Sequence, residues 1–160
     1  MKLFIFCLLL ITNANAIDDF NLNSAKSLYI VDGDSINLKM RIMGIDTAEI
    51  GQTCQKIANK NVNCGELSKI YLAKILTQTS GELLIKPVKI DNYYRILVQV
   101  YKDGIDIGAK MVKAGMAYSY KDTYLKEQNY AKAKKLGFWG FYQPPISPYK
   151  YRRARLNKHR

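Results

Sequence analysis

The chain has 160 residues and carries 25 Lys and Arg against 13 Asp and Glu, a formal net charge of +12, with 48% apolar residues and one histidine. That length suits one domain with a proper core rather than two, and no segment has the roughly 20 consecutive apolar residues needed to span a bilayer. The lone His159 argues against hydrolytic centres built on histidine pairs or zinc, and the cationic excess points to a polyanionic partner.

Lys2, the apolar run Leu3 to Ile11 and the small-residue stretch Ala14-Asn15-Ala16 read as a secretory signal peptide over residues 1–16. The mature protein is expected to begin near Ile17, to be periplasmic or secreted, and to act as a monomer. Cleavage removes Lys2 alone among the charged residues, so the basic excess persists, and Cys7 leaves with the signal. Cys54 and Cys64 remain, flanking the polar stretch Gln55 to Asn63. In an exported protein they are expected to form a disulfide worth about 2–3 kcal/mol.

After a polar lead-in over residues 17–26, Leu28 to Val31 forms a β-rich run ending at the Asp32-Gly33 turn. Apolar residues then alternate at Ile36, Leu38, Met40 and Ile42, which gives two or three strands, with no tight-turn signal between the second and the third. From Glu66 the spacing becomes helical: Leu67, Tyr71 and Ile75 share one face, and Thr77 to Gly81 ends the run. Leu83 to Ile90 is the next strand, with Pro87 favouring an edge or a bulge, and Arg95 to Tyr101 another, closed at Asp103-Gly104. Two helices follow, one through Ile107, Met111 and Val112 to Gly115, the other through Leu125, Tyr130 and Ala133 with Gly137 as its cap. This is an α+β layout over residues 17–149, in which five short strands can close into a small OB-type β-barrel accompanied by three α-helices. Residues 150–160 read as a solvated basic tail that adds only nonspecific attraction.

Asp34, Arg41, Asp46, Glu49 and Arg95 carry the chemistry. Asp34 and Asp46, at the ends of neighbouring strands, offer hard oxygens of the kind calcium takes, although its 6–8 ligands require backbone carbonyls, phosphate or water as well. Glu49 is a candidate base for a nucleophilic water. Arg41 and Arg95, the only arginines between signal and tail, carry planar forks suited to phosphate. Together they suggest metal-assisted cleavage of a phosphodiester. Ordinary roles compete: Asp-Gly pairs are common at turns, and either arginine could belong to a structural ion pair.

Asp32-Gly33-Asp34-Ser35, then Arg41 to Glu49 (RIMGIDTAE), then Asp91 to Arg95 (DNYYR) resemble the successive signatures of the staphylococcal-nuclease-like, or thermonuclease, family. Cys64-Gly65-Glu66, Tyr101-Lys102-Asp103-Gly104 and Gly137-Phe138-Trp139 are similar to its exported members, and the likeness covers roughly residues 27–140. The resemblance implies a calcium-dependent OB-fold nuclease acting on DNA and RNA and leaving 3′-phosphate ends. Asp34, Asp46 and the Thr47 carbonyl would hold calcium and Glu49 would be the general base. Arg41 and Arg95 would stabilise the transferring phosphoryl group, and Tyr93 would hold a substrate phosphate. Tyr118 or Tyr120 would stack on a base, with core packing the commoner fate of such tyrosines. Ala48 stands where the family often has proline, and Asn92 and Tyr94 replace residues that are often basic and glycine.

Two other classes compete. A non-catalytic OB-fold nucleic-acid-binding module would have no use for acids beside phosphates, where they repel the ligand. A cationic envelope protein accounts for the charge but not for the internal pattern.

Overall fold

The alternating run Ile36 to Ile42 is extended throughout, yet its two halves belong to different sheets. In the computed structural model, which describes residue 22, residues 25–78 and residues 80–158, β1 (Leu28–Ile30) pairs antiparallel with β2 (Ile36–Leu38) across the turn at Val31 to Ser35. The expected signal peptide, Cys7, His159 and Arg160 lie outside the described residues. After Lys39 the chain continues as β3 (Met40–Ile42), which pairs in parallel with Ile96–Lys102 further along the chain. Lys39 joins the two sheets: its N–H donates to the Ser27 carbonyl at 3.5 Å and its carbonyl accepts from Ile96 N–H at 2.9 Å. The turn comes only after β3, at Met43-Gly44, where Gly44 has φ +78° and leads into β4 (Ile45–Asp46). A Cβ on Gly44 would also stand 2.7 Å from the Thr123 side chain, so both the backbone conformation and the space call for glycine.

The hairpin of β5 (Thr53–Ile57) and β6 (Lys60–Asn63) runs into α1 (Cys64–Thr77), whose first turn is capped by Asn63 accepting from Glu66 N–H at 3.0 Å. Then come β7 (Leu83–Ile90), β8 (Ile96–Lys102), β9 (Ile105–Asp106), α2 (Ile107–Lys113), β10 (Tyr118–Ser119) and α3 (Leu125–Ala133). A 3-10 turn at Gly137–Gly140 and α4 (Pro148–Lys158) complete the chain. β7 lies at the edge of the sheet β3-β8-β7, and its register shifts between Pro87 and Lys89, so the proline has both the edge position and the irregularity it favours. On β8 the period of two puts Ile96, Val98 and Val100 into the core. There they join Ile45, Ile75, Ala117 and, from α2, Ile107, Met111 and Val112.

The α+β class holds, but the expected closed five-stranded barrel with three helices does not. Among the described residues the strands form four sheets, β1-β2, β4-β10, β5-β6 and β3-β8-β7 with β9 on β8, with no closed ring of pairings, and there are four α-helices. With no hairpin between β2 and β3, β2 pairs only with β1 and β3 only with β8, so no strand ladder carries the pairing on between the two sheets. Gly137 does not cap α3, which ends at Ala133 with Lys134 as its cap; it opens the 3-10 turn instead. The segment expected to be a solvated tail is helical, with Pro148 at the first helical position, where its missing N–H and fixed φ are well suited.

Candidate active site

Asp46 ends β4, paired across the ladder with Tyr118 of β10, and is 6% exposed. A buried carboxylate needs charged or hydrogen-bonded partners, and Asp46 has two arginines. Arg41, on β3, sends Nη2 to Asp46 Oδ1 at 2.9 Å and to the Ile45 carbonyl at 3.2 Å. The Gly44 turn folds β4 back so that this reach is possible. Arg152, on α4, forms a fork on the same carboxylate, Nη1 to Oδ1 at 3.2 Å and Nη2 to Oδ2 at 2.8 Å, and Nη1 also meets Glu49 Oε1 at 2.6 Å. Hydrogen bonding to Asp46 foremost, and then to Glu49, outweighs the cost of burial and holds the Arg152 guanidinium protonated even more firmly than usual.

The loop from Thr47 to Gln52 sets the position of Glu49. Ala48 is buried in a small cluster with Cys54, Cys64 and Phe138, and Cys54 and Cys64 form the expected disulfide, Cα to Cα 6.0 Å. Buried Gln52 accepts from Glu49 N–H through Oε1 at 3.0 Å, donates its own N–H to the Glu49 carbonyl at 2.8 Å, and sends Nε2 to the Ile146 carbonyl at 2.7 Å. Gly65, in the first turn of α1, lies against the Glu49 carbonyl and 2.6 Å, measured from an ideal Cβ, from Ile50 N, so any larger residue would push the loop away. Packing and buried amide bonds thus hold this loop although Ala48 stands where proline is often found.

Arg95 lies one residue before β8. The parallel register pairs Arg41 with Leu97, and with a period of two Arg95 falls on the same face as both, opposite to the core-facing Ile96 and Val98. Its guanidinium is tied to Asp91, Nε to Oδ2 at 2.8 Å and Nη2 to Oδ2 at 2.6 Å, and stands 5.2 Å from the centre of the Tyr93 ring. Burial works against ionisation of Asp91, but hydrogen bonds from Arg95 and from the Tyr93 N–H, with the Arg95 charge, hold its carboxyl below the usual range.

The other expected residues divide. Asp34 sits in the exposed β1-β2 turn, where its carboxylate accepts from Ser35 Oγ at 3.2 Å. Among the described residues no three Asp, Glu, His or Cys side chains gather into a metal-sized group. Thr47 is half-buried beside Asp46. Tyr118 donates to the Pro145 carbonyl and packs edge-on against Trp139 at 5.2 Å, and burial pushes its phenol up to about 12. It is therefore a packed tyrosine, whereas Tyr120 and Tyr93 are 46% and 76% exposed, the first with Lys121 Nζ 5.7 Å from its ring centre and the second beneath the Arg95 guanidinium. Arg152 and Asp91 went unassigned in the sequence: Arg152 is one cation in a basic run, and Asp91 carries the signal of an acid four residues before an isolated arginine.

The donor chemistry suits a hard divalent cation. Asp46 and Glu49 supply two carboxylates that converge on one cationic nitrogen, Arg152 Nη1, so a positive centre between them is already favoured. Of the three expected ligands, Asp46 and the Thr47 carbonyl are the groups that would hold calcium, whereas Asp34 sits in the exposed β1-β2 turn and would have to join them from there; Glu49, expected as the base, would also lend its Oε1.

The model of the family described as staphylococcal nuclease homologue matches residues 39–140, which include Arg41, Asp46, Glu49 and Arg95. A protein of Haemophilus influenzae named "Uncharacterized endonuclease" is 31% identical over 165 aligned residues, covering 95% of this chain and 85% of that protein. One from Komagataella phaffii named "Probable endonuclease LCL3" is 27% identical over 134, covering 72% of this chain and 54% of the other. With the Arg41–Asp46–Glu49 arrangement inside the matched region, the chain belongs to the staphylococcal nuclease homologue family.

Proposed function

We propose that the protein is an exported, calcium-dependent nuclease that hydrolyses phosphodiester bonds in both DNA and RNA as a monomer and leaves 3′-phosphate ends. The nuclease class itself follows from the family and from relatives named endonucleases. The observation that supports the finer reading is that Asp46, paired with Arg41, and Glu49 both direct a carboxylate oxygen at one cationic nitrogen, Arg152 Nη1. A disulfide between Cys54 and Cys64 is consistent with an oxidising compartment.

Calcium, when bound, supplies positive charge that polarises the phosphate and favours a hydroxide-like water. Glu49, its backbone fixed by Gln52 and its Oε1 turned to the cationic position, takes the proton of the attacking water on Oε2. Arg41 and Arg95 hold the non-bridging oxygens as negative charge grows on them, and each is oriented in advance by a carboxylate, Asp46 or Asp91. Tyr93 steers a neighbouring phosphate from its exposed position beside Arg95, and Tyr120, partly exposed with Lys121 over one face, offers its ring for stacking on a base. Asp34 would complete the calcium ligands from its turn.

The test is incubation of the purified protein with single-stranded DNA and with RNA, with calcium or with a chelator. Cleavage of both substrates only with calcium, leaving 3′-phosphates, is the expected result. A substrate that shifts in mobility yet stays whole would make the protein a binding module instead.

A further inference from the structure

Arg152 takes the oxygens that a cation at Asp46 and Glu49 would need. Arg41 touches only Oδ1 of Asp46, whereas Arg152 covers Oδ2 and Glu49 Oε1 as well. A divalent ion within coordination distance of these oxygens would face a guanidinium held less than 3 Å from them, and the two positive charges exclude each other.

The way α4 is mounted suits release. The chain leading to it is well fixed: Gln143 bridges to Gln55 of β5, Tyr118 donates to the Pro145 carbonyl and Gln52 to the Ile146 carbonyl. On the helix itself only the edge formed by buried Pro148 and half-buried Tyr151 and Arg152, the i, i+3 and i+4 positions, faces the body of the protein. From Arg153 to Asn157 every residue is exposed, with Leu156 at 69%, so no apolar face holds the outer half of the helix down. The Arg152 fork is the chief polar attachment of an otherwise loosely held element, and it lands on the two carboxylates of the proposed site.

We propose that α4 is a built-in latch in which Arg152 competes with the divalent cation for Asp46 and Glu49, so that cation binding and undocking of the helix are one exchange. This rests on the calcium reading above. In the latched form Arg152 bridges two acids that would otherwise repel each other, and in the released form α4 presents Arg152, Arg153 and Arg155 to a polyanion next to the cleavage site. Reciprocity follows: whatever draws α4 away raises cation affinity, and the cation loosens α4 by the same factor.

Calcium titration calorimetry without substrate tests this on the parent, Arg152→Ala, Arg152→Lys and Asp46→Asn. Arg152→Ala should bind calcium about tenfold more tightly than the parent, within the usual range of such couplings, and Arg152→Lys, which keeps the charge but not the fork, should fall between. Calcium should also speed amide hydrogen exchange in residues 148–158 of the parent. Thermal unfolding keeps the test sound: Arg152→Ala should be less stable than the parent without calcium, with the gap narrowing as calcium is added. Equal calcium affinity in parent and Arg152→Ala would overturn the latch and leave the calcium reading standing. No calcium binding by either would overturn both, and tight binding that survives in Asp46→Asn would move the cation elsewhere and overturn the exchange.

Discussion

One carboxylate holds Arg95 by three donors. Asp91 Oδ1 accepts from the N–H groups of Tyr93 at 2.9 Å and Arg95 at 3.0 Å, while Oδ2 takes the Arg95 side chain. Asp91→Asn keeps the shape and loses the charge, so Arg95 should lose its orientation and turnover should fall about 10²-fold, the usual cost of slight misplacement of a reacting group. The carboxyl is held below the usual carboxylate range, so the stability it contributes is present above that range and is lost as pH falls through the still lower folded value. Thermal unfolding should therefore show Asp91→Asn less stable than the parent at neutral pH, with the difference vanishing in strong acid; a difference that grew with acidity would contradict the assignment. Arg41, Asp46 and Glu49 were legible in the sequence because β4 and the loop after it are so short that proximity in the chain enforces proximity in space. Arg152 was not, because nothing in a run of basic residues distinguishes the one cation that folds back more than a hundred positions onto two acids.

At the scale of elements, the loop bearing Glu49 owes its shape to its neighbours. Gly65→Ala would place a methyl group against the Glu49 carbonyl and Ile50 N, so the first turn of α1 or the loop must shift. The expected cost is about 1–3 kcal/mol by denaturant unfolding, with turnover lowered alongside; wild-type stability and activity in this variant would show that the close approach is unimportant. Removing the disulfide with Cys54→Ala and Cys64→Ala together should cost about 2–3 kcal/mol, read the same way. The helices α1 and α2 and the edge strand β7 were legible because apolar spacing and Pro87 each carry a direct geometric meaning. The division of residues 36–42 between two sheets was not: alternation marks extended chain without saying which partner each half finds. α4 was hidden for a related reason, since it docks by one ion-paired arginine rather than by an apolar stripe.

For the whole molecule, the net charge of +12 makes substrate capture electrostatic. Affinity for single-stranded DNA, measured with a chelator present to prevent cleavage, should fall at least about 10²-fold between about 50 and 200 mM salt, as counterion release from several phosphate contacts requires; salt-independent binding would contradict electrostatic capture. The α+β class was readable from the order of strands and helices, whereas closure of the sheets depends on pairings that composition does not encode. Glu49, which shares Arg152 with Asp46, is proposed to perform the proton transfer of phosphodiester hydrolysis. Single-turnover cleavage by Glu49→Gln, at saturating calcium and substrate, tests it most directly. The expected result is a rate lower by about 10²–10⁴-fold with substrate affinity and fold retained; a rate equal to that of the parent would contradict it.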